Sequence, residues 1–295
     1  MAFDQVAQQV WQLSAPETGP VVCVIGGTHG NEMTGIEMIH RFVQMGENHQ
    51  LSLARGTVFF MMGNPRAVEK GMRGSSQHAD LNRRFTSDVL TRVSDGSAED
   101  DRAKTLAPLL AKADFSLDIH STNKPSAPLI CGRATPRHVQ LYKWFDCELV
   151  LADPRFVLGG EPVTTDDFVD QNGGIGMCYE AGQATDLARV PQVMVSIMNV
   201  LREQGMLQDG VEPSPTYPYK TFYELERAVL LTTDGFRFAP RKGLSSFEPF
   251  VKGETIGFAG EEPVFAPYEG VIVFPKIKEH WKVNSPVCYF ATKTV

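Results

Sequence analysis

Val21-Val22-Cys23-Val24-Ile25, followed by Gly26-Gly27-Thr28-His29-Gly30-Asn31-Glu32-Met33-Thr34-Gly35, decides the fold. An unbroken run of β-branched and apolar residues reads as a strand buried on both faces, and the polar, glycine-rich segment after it reads as a turn. Ile36, Ile39, His40 and Val43 then recur at helical spacing, so the turn leads into a helix. The same alternation continues down the chain. Thr57–Met62, Phe115–Ile119, Pro128–Cys131, Glu148–Leu151 and Ile175–Glu180 read as further strands, and Val190–Glu203 as a closing helix. This is the pattern of an α/β layer fold, expected over residues 1–210. Asp209–Pro218 has the proline-rich composition of a linker. Beyond it, turn signals at Asp234-Gly235, Lys252-Gly253, Gly260 and Glu269-Gly270 predict a smaller all-β domain over 211–295. Asp95–Arg102 reads as a solvated acidic loop or helix start without a role.

Composition narrows the function classes. The chain has 295 residues, 42% hydrophobic and 21% charged, with 28 Lys and Arg against 35 Asp and Glu, a formal charge of −7. A protein that neutralises phosphates carries a basic surface, so nucleic acid is excluded as the expected partner. No apolar run approaches the roughly 20 residues that span a bilayer. The stretch MAFDQVAQQVWQLS lacks a basic segment followed by an apolar one, so it is not read as a secretory signal. A cytoplasmic protein without a membrane partner is expected. The scattered cysteines, Cys23, Cys131, Cys147, Cys178 and Cys288, contain no CxxC pair and fit reduced thiols.

His29 and Glu32, three residues apart directly after a strand, can converge on one metal ion, and strand ends are where α/β sheets place their sites. His120, at the end of the strand containing Asp118-Ile119-His120, supplies a third ligand. Two histidines and a carboxylate leave a position open for water, the catalytic arrangement of zinc, although iron or manganese fits the same ligands. Asp118 shares a strand face with His120 and is either a ligand itself or a group orienting an imidazole. The segment Asn64–Phe85 carries a local excess of Arg and Lys. Arg66, Lys70 and Arg84 read as a solvated face, whereas Arg73 and Asn82-Arg83 suit the binding of a small anion. Glu180, in GMCYEAG at the end of an apolar strand, reads as a general base for metal-assisted hydrolysis or as a buried ion-pair partner. His40, His49, His78 and His138 read as surface or packing residues.

In order along the chain, GGTHGNEMTG, NPRAV, DLNRRF, DIHST and GMCYEAG resemble the aspartoacylase and succinylglutamate desuccinylase family of zinc carboxypeptidase-like hydrolases. HGNEMTG and NPRAV are most similar to its aspartoacylase branch. The resemblance implies a three-layer α/β/α domain with a mixed sheet, followed by a β-rich domain narrowing the entrance. It implies one Zn²⁺ held by His29, Glu32 and His120, with Glu180 as the base, Arg73 polarising the scissile carbonyl, and Asn82 and Arg83 clamping a substrate carboxylate. The implied activity is hydrolysis of an N-acyl amino acid, with N-acetyl-L-aspartate, cleaved to aspartate and acetate, as the leading substrate. The same mechanism on N-succinylglutamate or on an N-acetylated aromatic or basic amino acid is the second reading. A scaffold that binds metal or peptide without hydrolysis is the third. A homodimer is also implied.

Two segments depart from the family pattern. Before Glu180 the family presents a tyrosine and an arginine, but here Thr164–Asn172 (TTDDFVDQN) is acidic, with no basic residue between Arg155 and Glu180. Where the family places a carboxy-terminal substrate tyrosine, this chain has His280 beside Trp281. Either Arg155 or Lys278 supplies the missing contact, or acids facing the pocket favour a neutral or basic substrate side chain.

Overall fold

Alternation along one strand builds the layers. The computed structural model describes residues 3–294 except 208, 216, 218, 233 and 234, together with all described side chains but that of residue 280. β1 (Phe3–Ala7) and β2 (Val10–Ser14) form a hairpin leading into β3 (Glu17–Gly26). Val22 and Val24 of β3 enter one core with Ile36, Ile39 and Phe42 of α1 (Met33–Glu47). Cys23 and Ile25 enter a second core on the opposite face, with Ala103, Leu106 and Leu110. Successive side chains of a strand point to opposite faces, so one buried run requires cover on both.

The chain continues through β4 (Arg55–Met62), α2 (Pro65–Lys70), α3 (Ser87–Thr91), α4 (Ala98–Leu110) and β5 (Phe115–Thr122). Then come β6 (Leu129–Cys131), α5 (Pro136–Tyr142), β7 (Leu149–Ala152), α6 (Thr165–Gln171), β8 (Ile175–Gln183) and α7 (Val190–Glu203). β3 lies between β4 and β5 in parallel, β8 extends the parallel run, and β6 pairs with β8 antiparallel, which makes the sheet mixed. α1 and α7 cover one face, and α4 and α6 the other.

The carboxy-terminal region is β-rich, and its main strands extend the same sheet. These are β9 (Thr221–Leu230), β10 (Phe236–Phe238), β11 (Glu248–Phe250), β12 (Thr255–Ala259), β13 (Glu262–Phe265), β14 (Gly270–Val273) and β15 (Pro286–Lys293). β9 pairs in parallel with β7, giving a 12-stranded order β1-β2-β4-β3-β5-β8-β6-β7-β9-β15-β14-β11, while β10, β12 and β13 form a small separate sheet. Pairing β9 with β7 satisfies an edge that would otherwise be open. The region has its own core around Phe236, Phe250, Ile256 and Val287.

Most strands read from the sequence are present within a few residues, and α7 has the expected bounds. The amino-terminal hairpin was not expected. Asp95–Arg102 is a helix start, one of its two readings, and enters α4, but its solvation is corrected: Glu99 and Asp100 are buried at 2% and 1% exposure. Glu99 accepts from Asn64 Nδ2 (3.0 Å), Ser75 N (2.7 Å) and Ser75 Oγ (2.8 Å), which ties α4 to the basic segment. Arg102 is buried too, donating to the carbonyls of Gln8, Met62 and Gly63. The expected linker Asp209–Pro218 and the turn at Asp234-Gly235 fall partly on residues outside those described.

Candidate active site

Close backbone contacts aim the first loop. A Cβ on Gly26 would lie 2.1 Å from the Gly35 carbonyl oxygen, and one on Gly35 would lie 2.4 Å from that of Ile119. Only glycine lets α1 press so closely on β3 and β5, and this sets its amino terminus over the strand ends. Glu32 is the residue preceding the helix. Gly30 meets α2 in the same way, since a Cβ there would lie 2.0 Å from the Ala67 carbonyl.

His29, Glu32 and His120 therefore converge, all buried, with ligand atoms within 4.8 Å of one another. His29 Nδ1 lies 2.7 Å from Glu32 Oε1, His120 Nδ1 lies 2.9 Å from Glu32 Oε2, and the two ring nitrogens are 3.1 Å apart. Each imidazole turns its other nitrogen to a carboxylate. His29 Nε2 is 3.1 Å from Asp80 Oδ1, and His120 Nε2 is 3.2 Å from Asp118 Oδ2, at ion-pair distance but off the hydrogen-bonding line. Asp118 accepts from Thr28 Oγ1 (3.0 Å) and Thr165 Oγ1 (2.7 Å) and stays behind His120, which decides between its two sequence readings. Carboxylates behind the imidazoles fix ring orientation and raise ligand basicity.

The charges of the cluster act on one another. Burial disfavours the charged form of Glu32, but the facing imidazoles outweigh it and hold the carboxyl well below the usual range. Burial likewise opposes charge on His120, yet Asp118 and Glu32 hold its pKa well above the ordinary imidazole value. Facing ring nitrogens that share one carboxylate are the donor set of a catalytic zinc site, and the residues fit the metal.

Around this floor opens a cavity of about 550 Å³. Glu180 lines it from β8, where its backbone pairs in register with His120. Its Oε2 is buried and has no hydrogen-bond partner. Burial, and then the Glu32 charge, push its carboxyl up to about 7. Arg73 donates from Nε (3.1 Å) and Nη2 (2.9 Å) to Asp80 Oδ2, and its Nη1 stands 4.0 Å from Glu32 Oε1. Asp80 thereby fixes both His29 and Arg73. Asn82 accepts from Thr165 N at 2.9 Å, while Arg83 Nη1 donates to the Asn82 carbonyl at 2.6 Å. His29, Glu32, Arg73, Asn82, Arg83, His120 and Glu180 all line this one cavity, and Asp118 does not.

The acidic segment lies on the same cavity, but its charges are largely spent on structure. Asp170 accepts from His138 Nε2 (2.9 Å), Gly176 N (2.9 Å) and Arg133 Nε (2.7 Å). Asp167 closes the capping box of α6, accepting from Thr164 Oγ1 at 2.7 Å. Burial and then the Asp167 charge push the Asp166 carboxyl up to about 7. His138 is thus a buried partner of Asp170, where the sequence reading gave it none; His40, His49 and His78 are exposed as expected. Of the bland cations, Arg66 and Lys70 are exposed, whereas Arg84 pairs with the buried Asp100 at 3.5 Å.

Neither cation expected to supply a further contact lines the cavity. Arg155 pairs with Glu224 (3.0 Å) and Glu226 (2.8 Å), and Lys278 is exposed. The His280 side chain lies outside those described. Lys276 and Tyr289 line the cavity instead, alongside Asp80's partner Arg73, and the sequence reading named neither.

A mixed α/β/α sheet with a His-Glu-His cluster at its strand ends defines a class of metal-site protein, and comparison with known sequences narrows it. Residues 18–203 match the model of the succinylglutamate desuccinylase/aspartoacylase catalytic domain. The chain belongs to this family. A probable aspartoacylase of Nostoc is 38% identical over 39% of the chain, and the human N-acyl-aromatic-L-amino acid amidohydrolase is 32% identical over 52%. These matches span 40% and 50% of the relatives' own length. The crystal structure of murine aminoacylase 3 has the same fold, with a TM-score of 0.71 at 22% identity over 95% of this chain and 97% of that one.

Proposed function

We propose that the chain is a zinc-dependent amidohydrolase that removes the acyl group from an acidic N-acyl amino acid, with N-acetyl-L-aspartate as the leading substrate. The observation that carries this reading is Glu180, which lines the cavity together with the His29, Glu32 and His120 cluster and keeps one buried carboxylate oxygen without a hydrogen-bond partner among the described residues. Family membership supports the reaction class.

His29, Glu32 and His120 would hold the metal, which when bound supplies Lewis-acid polarisation and a water acidified to a pKa of about 7. Glu180 takes the proton of the attacking water and delivers it to the amide nitrogen, releasing a carboxylate and a free amino acid. A carboxyl poised near 7 serves both transfers at neutral pH. Arg73, held by Asp80, supports the carbonyl oxygen as negative charge develops. Asn82, braced by Thr165, and Arg83 bind a substrate carboxylate. We assign this chemistry to residues 1–210, with 211–295 completing the cavity wall. A homodimer rests on the resemblance and a cytoplasmic location on the scattered cysteines and short apolar runs of the sequence; no helix among the described residues is long and apolar enough to cross a membrane.

The acidic substrate class rests on which cavity charges remain free. Asp170 is paired with Arg133, which offsets its charge, and Asp167 is bonded into the cap of α6, so the two repel a second carboxylate less than their sequence suggests. The test is amine release by the zinc-loaded protein from N-acetylated aspartate, tyrosine, arginine and diaminobutyrate and from N-succinylglutamate, each with a chelator control. Chelator-sensitive turnover is expected; its absence across the panel would favour the non-hydrolytic scaffold.

A further inference from the structure

Cations lining the cavity fall into two groups. Arg73 is bound by Asp80, Arg133 by Asp170, and Lys124 donates to the Gly243 carbonyl. Arg83 and Lys276 have no carboxylate within 4.0 Å among the described residues. Lys276 is the more unusual, because a half-buried ammonium near the like charges of Arg73 and Arg83 costs free energy unless an anion meets it. Burial, and then the Arg73 and Arg83 charges, push it down to about 8.

The backbone holds Lys276 in this position. Its N–H donates to the Val287 carbonyl at 2.8 Å, and its carbonyl accepts from Trp281 Nε1 at 3.1 Å. Trp281 is in turn packed edge-on against Phe236 and Phe238 of the small sheet. Two residues earlier, Phe274 has φ 48°, a left-handed conformation costly for an aromatic residue, and its N–H donates to Ser246 Oγ at 3.1 Å. The Lys276 ammonium lies 5.9 Å from the centroid of the Tyr289 ring, within reach of a cation–π attraction. A strained turn, two backbone hydrogen bonds and an aromatic platform set one lysine into the cavity wall.

We infer that Lys276 is the specificity-determining residue of this site: it binds the second carboxylate of a dicarboxylic substrate while Asn82 and Arg83 bind the first. This deepens the deacylase reading and rests on it for the word substrate. It also gives the carboxy-terminal region a chemical part in the site, since the lysine follows β14 whereas the metal-site residues follow β3 or lie in β5.

The test compares Lys276→Met and Lys276→Arg with the parent protein, all zinc-loaded and matched by circular dichroism. Losing one charge-assisted hydrogen bond typically weakens binding about 10–100-fold. Lys276→Met should therefore raise KM for N-acetylaspartate by about that factor, with kcat changed less than about threefold and KM for N-acetylasparagine nearly unaltered. Lys276→Arg should restore most of the loss. Calorimetry with L-aspartate and L-asparagine supplies an arm independent of turnover: Lys276→Met should weaken the first selectively. Equal losses for both ligands, or none, would overturn the role of Lys276 even if the parent protein is an active deacylase. Selective loss of L-aspartate binding by a parent protein without turnover would uphold the role and refute the deacylase reading.

Discussion

On one wall of the cavity, Asp167 and Asp170 are bonded to backbone, hydroxyl, imidazole and guanidinium groups, and Asp153 accepts from the Val157 and Leu158 amides at 2.7 and 2.8 Å. Arg83 and Lys276 line the same cavity and have no carboxylate within 4.0 Å among the described residues. Counting charges makes the first wall decisive and the second ordinary. Counting unsatisfied charges reverses the order, because a carboxylate already accepting several hydrogen bonds has little left to give a ligand. Glu161 also lines the cavity, but it is exposed, where water and salt screen it.

The contrast can be broken at several points. Glu180→Gln keeps the shape of the site but cannot carry a proton, so turnover should fall by at least about 10²–10⁴-fold, while zinc content, measured by atomic absorption, stays at one per chain. Unchanged turnover would remove Glu180 from the mechanism. Asp170→Asn tests whether the acidic wall is architectural. Denaturant unfolding should show a loss of about 1–3 kcal/mol, with little change in the preference for acidic substrate; altered preference with intact stability would make Asp170 a recognition group.

How far this contrast was legible in the sequence depends on where a residue's partner lies. His29 and Glu32 share one turn after a strand, and His120 ends another, so spacing and strand ends were enough. Asp80 is beyond the reach of local spacing, since its bond to His29 joins residues 51 apart. Glu99 and Asp100 looked solvated because their partners lie on other elements, Ser75 and Asn64 for the first and Arg84 and Arg92 for the second. The two-residue turn between β1 and β2 carries no glycine or proline signal, so the hairpin was missed. Lys276 did leave a signal. It closely follows the apolar run Gly270–Phe274, as Glu180 follows its own strand, and an ion at the end of a buried strand merits the same question in both places.

Titration gives a finer view of the cationic wall. Burial and then the Arg73 and Arg83 charges push Lys276 toward neutrality, the weaker effects of Glu180 and Asp80 oppose them, and the Tyr289 ring lies beside it. Lys276 is charged below about 8 and neutral above it, so affinity for L-aspartate should decline as pH rises through that value, with bound anion moving the limb upward. Lys276→Arg should abolish the limb, because guanidinium stays charged. A limb of the same size in the arginine variant would assign it to another group. The smallest effect belongs to Arg155→Ala. Its pairs with Glu224 and Glu226 are exposed, so stability should change by less than about 1 kcal/mol and KM should not move.

The central claim is that the free charge of this cavity is positive. The most direct measurement is kcat/KM of the zinc-loaded protein for N-acetyl-L-aspartate against N-acetyl-L-diaminobutyrate, which have side chains of similar size and opposite charge. The account predicts a preference for the aspartyl substrate of at least about 100-fold, as expected when two charge-assisted contacts discriminate. A preference for the diaminobutyrate derivative would contradict it, and would mean that Asp166, which lines the cavity, meets the substrate.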